Sequence, residues 1–328
     1  MKIILPFILF FSISFFYTAD QFHLCAQENN ITETLIDNDS AIKENNGELN
    51  EINNAFKFYQ QQDWIKAKEE FEKIIEKKPE SYRANLILGN IYSFLGEYDK
   101  SITQFKKCSQ IHKNKYHPYF NMGLVYLEQK KYKEALDCFN KTDEIIPDDY
   151  RVIFKIGEVY FFQGDYKNAM QYFQKTYLIN NQYHKNIFRL AETYHKLNMF
   201  EEESQLYKRL IDEKPTFTAY YMLGLSRYSA GDHNGEIEAY KKALEFKFDK
   251  DIIYNLGVSY YETGKLQEAL AEFVKIAYEN GQPNANALYY MAIIYINQGD
   301  FSKAWETHEK LRDISAEKAD EIYNLLKK

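Results

Sequence analysis

Proline and glycine are scarce in this chain, with 6 and 13 among 328 residues. So few breakers leave long uninterrupted segments, and together with 29 Tyr and 24 Phe they suit an all-helical protein with ring-filled interfaces. Cysteine is scarcer still, at 3. Positive charge is also short: 41 Lys and Arg against 48 Asp and Glu leave a formal net charge of −7. That argues against binding nucleic acid, whose phosphates require a basic face. No HExxH, CxxC, phosphate-cradling glycine loop or nucleophile elbow occurs. The expectation is therefore a non-enzymatic protein that needs no metal or cofactor.

One long apolar run is present, at residues 3–17, and it is short for a bilayer span of about 20 residues. Lys2 precedes it, and a polar segment with the small residue Ala26 follows. Residues 1–26 thus read as a secretory signal peptide, and the chain is expected to be exported, periplasmic or secreted. The alternative is an uncleaved anchor and a membrane-tethered chain. Leu24, not a small residue, precedes Cys25, which disfavours lipidation. Cleavage after Ala26 leaves Cys108 and Cys138; they can pair in an exported protein, although large helical repeats need no such staple. Residues 27–47 are polar and acidic, with too little apolar surface to offset ordering entropy, and read as a flexible acidic leader.

The rest of the chain repeats. Small residues recur as Ala55, Gly89, Gly123, Gly157, Ala191, Gly224, Gly257 and Ala292, 33 to 35 residues apart. Three residues after most of them stands a ring, as in Phe58, Tyr92, Tyr126, Tyr160, Tyr194, Tyr260 and Tyr295. A second small residue recurs as Ala67, Ser101, Ala135, Ala169, Ala269 and Ala304, and four residues on comes Phe71, Phe105, Phe139, Phe173 or Phe273. Such spacings put a small residue and a ring on one face of a helix. Each repeat is then two helices whose backbones approach at the small residues while rings fill the space beside them. Gly96, Gly164, Gly231, Gly264 and Gly299 fall between the two helices, and Pro79, Pro147 and Pro215 at repeat ends, where each stops a helix.

Residues 48–314 therefore divide into eight helix-pair repeats, an α-solenoid, and residues 315–328 carry Ala319, Ile322, Tyr323 and Leu326 on one face. That last stretch reads as a C-terminal cap helix, which solenoids require for solubility. Segments such as LILGNIYSFLGEYDKSITQF and YNLGVSYYETGKLQEALAEF resemble the tetratricopeptide repeat (TPR) family. The resemblance implies a right-handed superhelix whose first helices line a concave groove that takes an extended peptide or a helix from a partner protein.

Two positions of the first helices then become candidates for contact. Three residues before each small marker runs a ring ladder: Phe120, Phe154, Phe188, Tyr221, Tyr254 and Tyr289. Rings there offer large contact area at low entropy cost, although the family often carries Tyr at this place. Near the helix starts Arg83, His117, Arg151 and Lys185 recur at 34-residue steps, with Lys155 and Arg189 one turn after the last two. This basic strip suits an acidic segment of a partner. Glu158 and Glu192 instead neutralise it from within on the alternative reading. Some family members hold a partner's C-terminal carboxylates with Lys and Asn, a second Asn, and Lys and Arg from three successive repeats. Asn90, Asn121, Arg151 and Lys155 stand at those spacings, but Leu86 replaces the first Lys, so a looser acidic-peptide site is expected in place of that clamp.

The repeat code breaks in its middle. Glu203 and Glu236 stand where siblings have a small residue, and Arg227 stands where they have Tyr. A buried Glu is costly unless paired, so Arg227 is expected to pair with Glu203 or Glu236. The alternative is a one-residue slip that gives Ser204 the small site and Tyr228 the ring site. Cys108 and His112 lie one turn apart, but Cys108 falls on a packing face and reads as a buried structural thiol. The functional expectation is an exported TPR scaffold that binds a protein or peptide segment in its groove, as part of an envelope assembly. The alternative is a membrane-tethered spacer without a peptide ligand.

Overall fold

The computed structural model describes residues 46–279 and 281–327. The expected signal peptide lies outside the described residues, as does the leader except for residues 46 and 47, which are helical. The fold is an all-α solenoid of eight consecutive helix pairs and one closing helix. The pairs are α1 (Asn46–Gln60) with α2 (Trp64–Lys77), α3 (Tyr82–Phe94) with α4 (Tyr98–Ile111), and α5 (His117–Glu128) with α6 (Tyr132–Ile145). Next come α7 (Tyr150–Phe162) with α8 (Tyr166–Ile179), α9 (His184–Lys196) with α10 (Phe200–Glu213), and α11 (Phe217–Ser229) with α12 (His233–Phe246). The last are α13 (Lys250–Glu262) with α14 (Leu266–Ile276) and α15 (Ala285–Asn297) with α16 (Phe301–Arg312), closed by α17 (Ala316–Leu326). A two-stranded ribbon, β1 (Tyr278–Glu279) against β2 (Gln282–Pro283), is inserted between α14 and α15. The chain forms two compact units that divide after Val159, within α7.

The turn inside every pair has one construction. A residue with positive φ ends each first helix: Gln62, Gly96, Lys130, Gly164, Asn198, Gly231, Gly264 and Gly299. The amide of the following residue reaches back five positions, as in Glu97 N to Tyr92 O at 2.8 Å and Lys131 N to Tyr126 O at 2.8 Å. This closes the helix and satisfies a carbonyl that the helix leaves unpaired. Five of the eight turns use glycine, and the side chains of Gln62, Lys130 and Asn198 adopt the same left-handed backbone at a steric cost. Asp63, Asp165, Asp232 and Asp300 then cap the second helices by accepting from the amide three residues on.

In both units the small and ring positions pack as their spacing requires. In the first unit Phe71, Phe105 and Phe139 are fully buried, each worth about 2–3 kcal/mol in removed apolar area. A Cβ placed on Gly89 meets Phe105 Cε1 at 2.5 Å, and one on Gly123 meets Phe139 Cε1 at 2.6 Å. The ring lies flat on the bare backbone of the partner helix, and glycine is what admits it. In the second unit Tyr240 lies against Gly224 and Phe273 against Gly257 in the same way. The closing helix α17 covers the last pair with Ala319 and Ile322, which join Leu288, Ala292 and Leu311 in one buried cluster.

Candidate functional site

The first-helix positions that the spacing singles out are half-buried, not lost in the core, with one exception. Phe120, Phe188, Tyr221, Tyr254 and Tyr289 are each partly exposed, whereas Phe154 is buried. Phe154 is therefore a packing residue, and the ladder has a gap at that rung. Phe120 meets the core ring Phe139 edge-on at 5.6 Å, and Tyr254 meets Phe273 in the same manner at 5.9 Å. Phe120, Tyr221 and Tyr254 thus stand on the buried ring of their own second helix, which holds their orientation before any partner arrives.

The basic strip is largely neutralised from within. In the first unit Arg151 is chelated by Asp149, with Nε donating to Oδ1 at 3.0 Å and Nη2 to Oδ2 at 2.6 Å. Asp149 also accepts from the Arg151 amide at 2.8 Å. Burial works to raise the Asp149 carboxyl, but the bonds from Arg151 win and hold it below the usual carboxylate range. Lys155 donates to Glu158 at 2.7 Å, with the side chains only 15% and 7% exposed. In the second unit Arg189 donates to Glu192 at 2.8 Å and spreads over the faces of Phe161 and Phe162 at 5.2 and 5.3 Å. The alternative in which Glu158 and Glu192 balance the strip is the arrangement found. Arg151, Lys155 and Arg189 each already hold a carboxylate, so an acidic group of a partner would meet paired cations.

The remaining strip and clamp positions are half-buried. Arg83 and Lys185 stand at their helix starts, and His117 stacks on Tyr116 with centroids 3.9 Å apart. Asn121 Nδ2 donates to Asn90 Oδ1 at 3.0 Å, so the two asparagines of the clamp spacing are engaged with each other.

At the broken repeats the expected pairing of Arg227 is corrected. Arg227 donates to Glu201 at 3.0 Å and pairs with Asp232 at 3.4 Å. Glu203 is met by His195 at 3.0 Å, and Glu236 by His233 at 3.3 Å. The long arginine arm leaves the last turn of α11 toward the exposed start of α10, while each buried carboxylate finds the histidine within its reach. The slip alternative also fails. Tyr207 and Tyr240 are buried four residues after Glu203 and Glu236, in register with the phenylalanines of other repeats. The two glutamates therefore occupy true small sites. Ser204 is buried beside them and shares a hydrogen bond with Ser226 Oγ at 2.9 Å. Burial pushes the Glu236 carboxyl up to about 7, against the opposing pull of His233.

Cys108 is fully buried and lies 3.5 Å from the Tyr82 carbonyl, and both Cys108 and Cys138 are free thiols. Burial pushes the Cys108 thiol above its ordinary range. A buried unreactive thiol is thus what this position holds. Among the described residues no group of three His, Cys, Asp or Glu side chains is placed to hold a metal ion, and no helix is long and apolar enough to cross a membrane.

Sequence reasoning overlooked part of this surface. In the second unit Tyr261 and Tyr290 join Tyr254 and Tyr289 in a continuous run of rings. The signal was available in the repeated YY pairs of α13 and α15, but a single-position ladder does not capture neighbours.

Models of the tetratricopeptide repeat match residues 80–145, 150–183, 190–251 and 254–316, together more than half of the chain. Among curated proteins none matches the sequence. Several solved structures resemble the fold. The C-terminal part of a TPR repeat-containing protein from Cytophaga hutchinsonii is 16% identical, with TM-score 0.57 over 83% of this chain and 98% of that one. A tetratricopeptide repeat protein from Parabacteroides merdae is 17% identical, with TM-score 0.52 over 76% of this chain and 99% of that one. The Naa15/Naa10 complex bound to HypK-THB contains a chain 13% identical, with TM-score 0.52 over 82% of this chain and 42% of that one.

Proposed function

This chain belongs to the tetratricopeptide repeat family, and from that premise we propose that it is an exported, non-enzymatic scaffold that binds a polypeptide segment of a partner along the faces of its first helices. The observation that carries this reading is the run of half-buried rings Phe120, Phe188, Tyr221, Tyr254 and Tyr289. Each is partly exposed, and Phe120, Tyr221 and Tyr254 are braced by a buried ring of their second helix, so they can bury more area at little further cost in conformational freedom. The ion pairs Lys155–Glu158 in the first unit and Arg189–Glu192 in the second add fixed polar groups on the same first helices. They supply register to a bound backbone through hydrogen bonds, and an acidic residue of the partner is accepted where it exchanges for one of those carboxylates.

Export rests on the segment 1–26, with its Lys2, apolar run and Ala26, and a role in envelope assembly follows as its natural setting. Mass measurement of the mature amino terminus tests it: a start near Gln27 supports cleavage, and a retained Met1 or Lys2 overturns it. The binding reading is tested by capturing partners with the full chain and with Phe120→Leu, Phe188→Leu, Tyr221→Leu and Tyr254→Leu combined, helicity being checked in parallel. Loss of the captured partners with helicity retained is the expected result. The same partners held equally well would remove the ring faces from the account.

A further inference from the structure

The strip near the first-helix starts changes sign along the chain. Its positions read Arg83, His117, Arg151 and Lys185, then Thr218, Asp251 and Asn286. Within the second unit the rings gather where the cations end. Tyr254 and Tyr290 lie 5.9 Å apart, Tyr261 and Tyr290 5.6 Å, and Tyr289 and Tyr290 5.8 Å. Tyr221, Tyr254, Tyr261 and Tyr289 are only partly buried against this cluster, so part of each ring remains exposed.

Carboxylates flank these rings. Asp251 and Asp249 act on Tyr221, Glu262 acts on both Tyr228 and Tyr290, and Tyr289 donates to Glu321 of α17 at 2.6 Å. Their negative charge, after burial itself, is why these phenols hold their protons above the ordinary range. The local cations offset only part of it. Lys247 lies 3.8 Å from Asp249 and His233 3.8 Å from Glu262, and Asp251 is exposed with no cation paired to it among the described residues. Electron-rich ring faces set among carboxylates attract a desolvated cation twice over, through the ring quadrupole and through charge.

We propose that the tyrosine run of α11, α13 and α15, flanked by Asp251 and Glu262, is a docking surface for an arginine- or lysine-bearing extended segment of a partner protein. The proposal rests on the reading that first-helix faces hold polypeptide and gives this part of the face its charge preference. An arginine plane stacks between rings such as Tyr221 and Tyr254 while its edge donates to Asp251, and a second cation one or two residues away reaches Glu262. The Arg189 guanidinium over Phe161 and Phe162, paired with Glu192, shows the same ring-and-carboxylate arrangement made within the chain.

Three labelled octapeptides of one backbone test it, carrying three arginines, three glutamines or three glutamates, titrated against the full chain by fluorescence anisotropy. The arginine peptide is expected to bind about tenfold more tightly than the glutamine peptide, and the glutamate peptide more weakly than both. Asp251→Asn with Glu262→Gln, which keeps the shape of both side chains, should cut arginine-peptide affinity about tenfold. Tyr221→Leu should cut it further. Equal affinity for the arginine and glutamine peptides, or an unchanged arginine affinity in the double variant, would overturn the proposal. If the glutamine or glutamate peptide binds best and covers the rings, only the charge preference falls and the scaffold reading stands. If no peptide binds and natural partners map to second-helix faces, both fall.

Discussion

Glu236→Gln is the substitution whose outcome the packing specifies most closely. Glu236 sits at a site that Ala fills in five sibling repeats, its side chain 1% exposed, facing His233, Ser259 and the like charge of Glu262. Burial raises its carboxyl from an ordinary 4.5 to about 7. The native state therefore keeps a proton that the unfolded chain releases, so the contribution of this group is fully present below about pH 4.5 and is lost as pH rises through about 7. At about 1.4 kcal/mol per unit the loss amounts to about 3 kcal/mol. Glutamine keeps the shape and the neutral form at every pH. The variant should match the parent near pH 5 and exceed it at pH 8 by about that amount. Because a solenoid opens piecewise, the assay is amide exchange of α12 between pH 5 and 8, normalised for intrinsic rates. Faster opening of the parent at pH 8, abolished in the variant, is expected. A variant less protected than the parent at pH 8 would refute the reasoning, since it would mean that the ionised carboxylate held by His233 is the stabilising form.

Other consequences are equally direct. Lys130→Gly and Gln62→Gly relieve left-handed backbone at φ 57° and 60° and should each stabilise by about 1 kcal/mol, read by the melting of their own helix pair; a loss of stability would contradict the turn assignment. Gly89→Ala drives a methyl into Phe105 and should cost about 1–3 kcal/mol, measured by denaturation of the same pair, and a neutral change would show that the ring is free to move. With a thiol reagent at pH 8, Cys138, pushed up to about 11 by burial, should label slowly in the native chain. Cys108 should label only on unfolding; prior labelling of Cys108 would place it at the surface.

The fold was legible because the repeat states its packing eight times. A small residue and a ring at i and i+4 can satisfy only a close helix contact, and Phe105 on Gly89 is that contact. The turns were legible only where glycine marks them: Lys130 and Asn198 take the same φ because the reach-back hydrogen bond, not the residue type, sets the geometry. Tyr207 and Tyr240 escaped notice as ring residues because the pattern sought phenylalanine. The charge state of the basic strip was not legible. Arg151, Lys155 and Arg189 stand in a row in sequence, but their partners Asp149, Glu158 and Glu192 lie two or three residues away, a spacing that also fits a solvated coat. Which side chain a cation turns toward depends on burial, and burial comes from the neighbouring helix. The same holds for Arg227, whose length lets it bypass the two buried glutamates for Glu201 and Asp232.

The central claim is that polypeptide docks on the first-helix faces. Side-chain footprinting of the full chain with and without a captured partner tests it most directly, since carbene or radical labels report exposed rings one by one. Phe120, Phe188, Tyr221 and Tyr254 should lose label on binding, while Ile65, Leu178 and Phe246, exposed on second helices, should keep it. Protection of the second-helix residues with the first-helix rings unchanged would contradict the account.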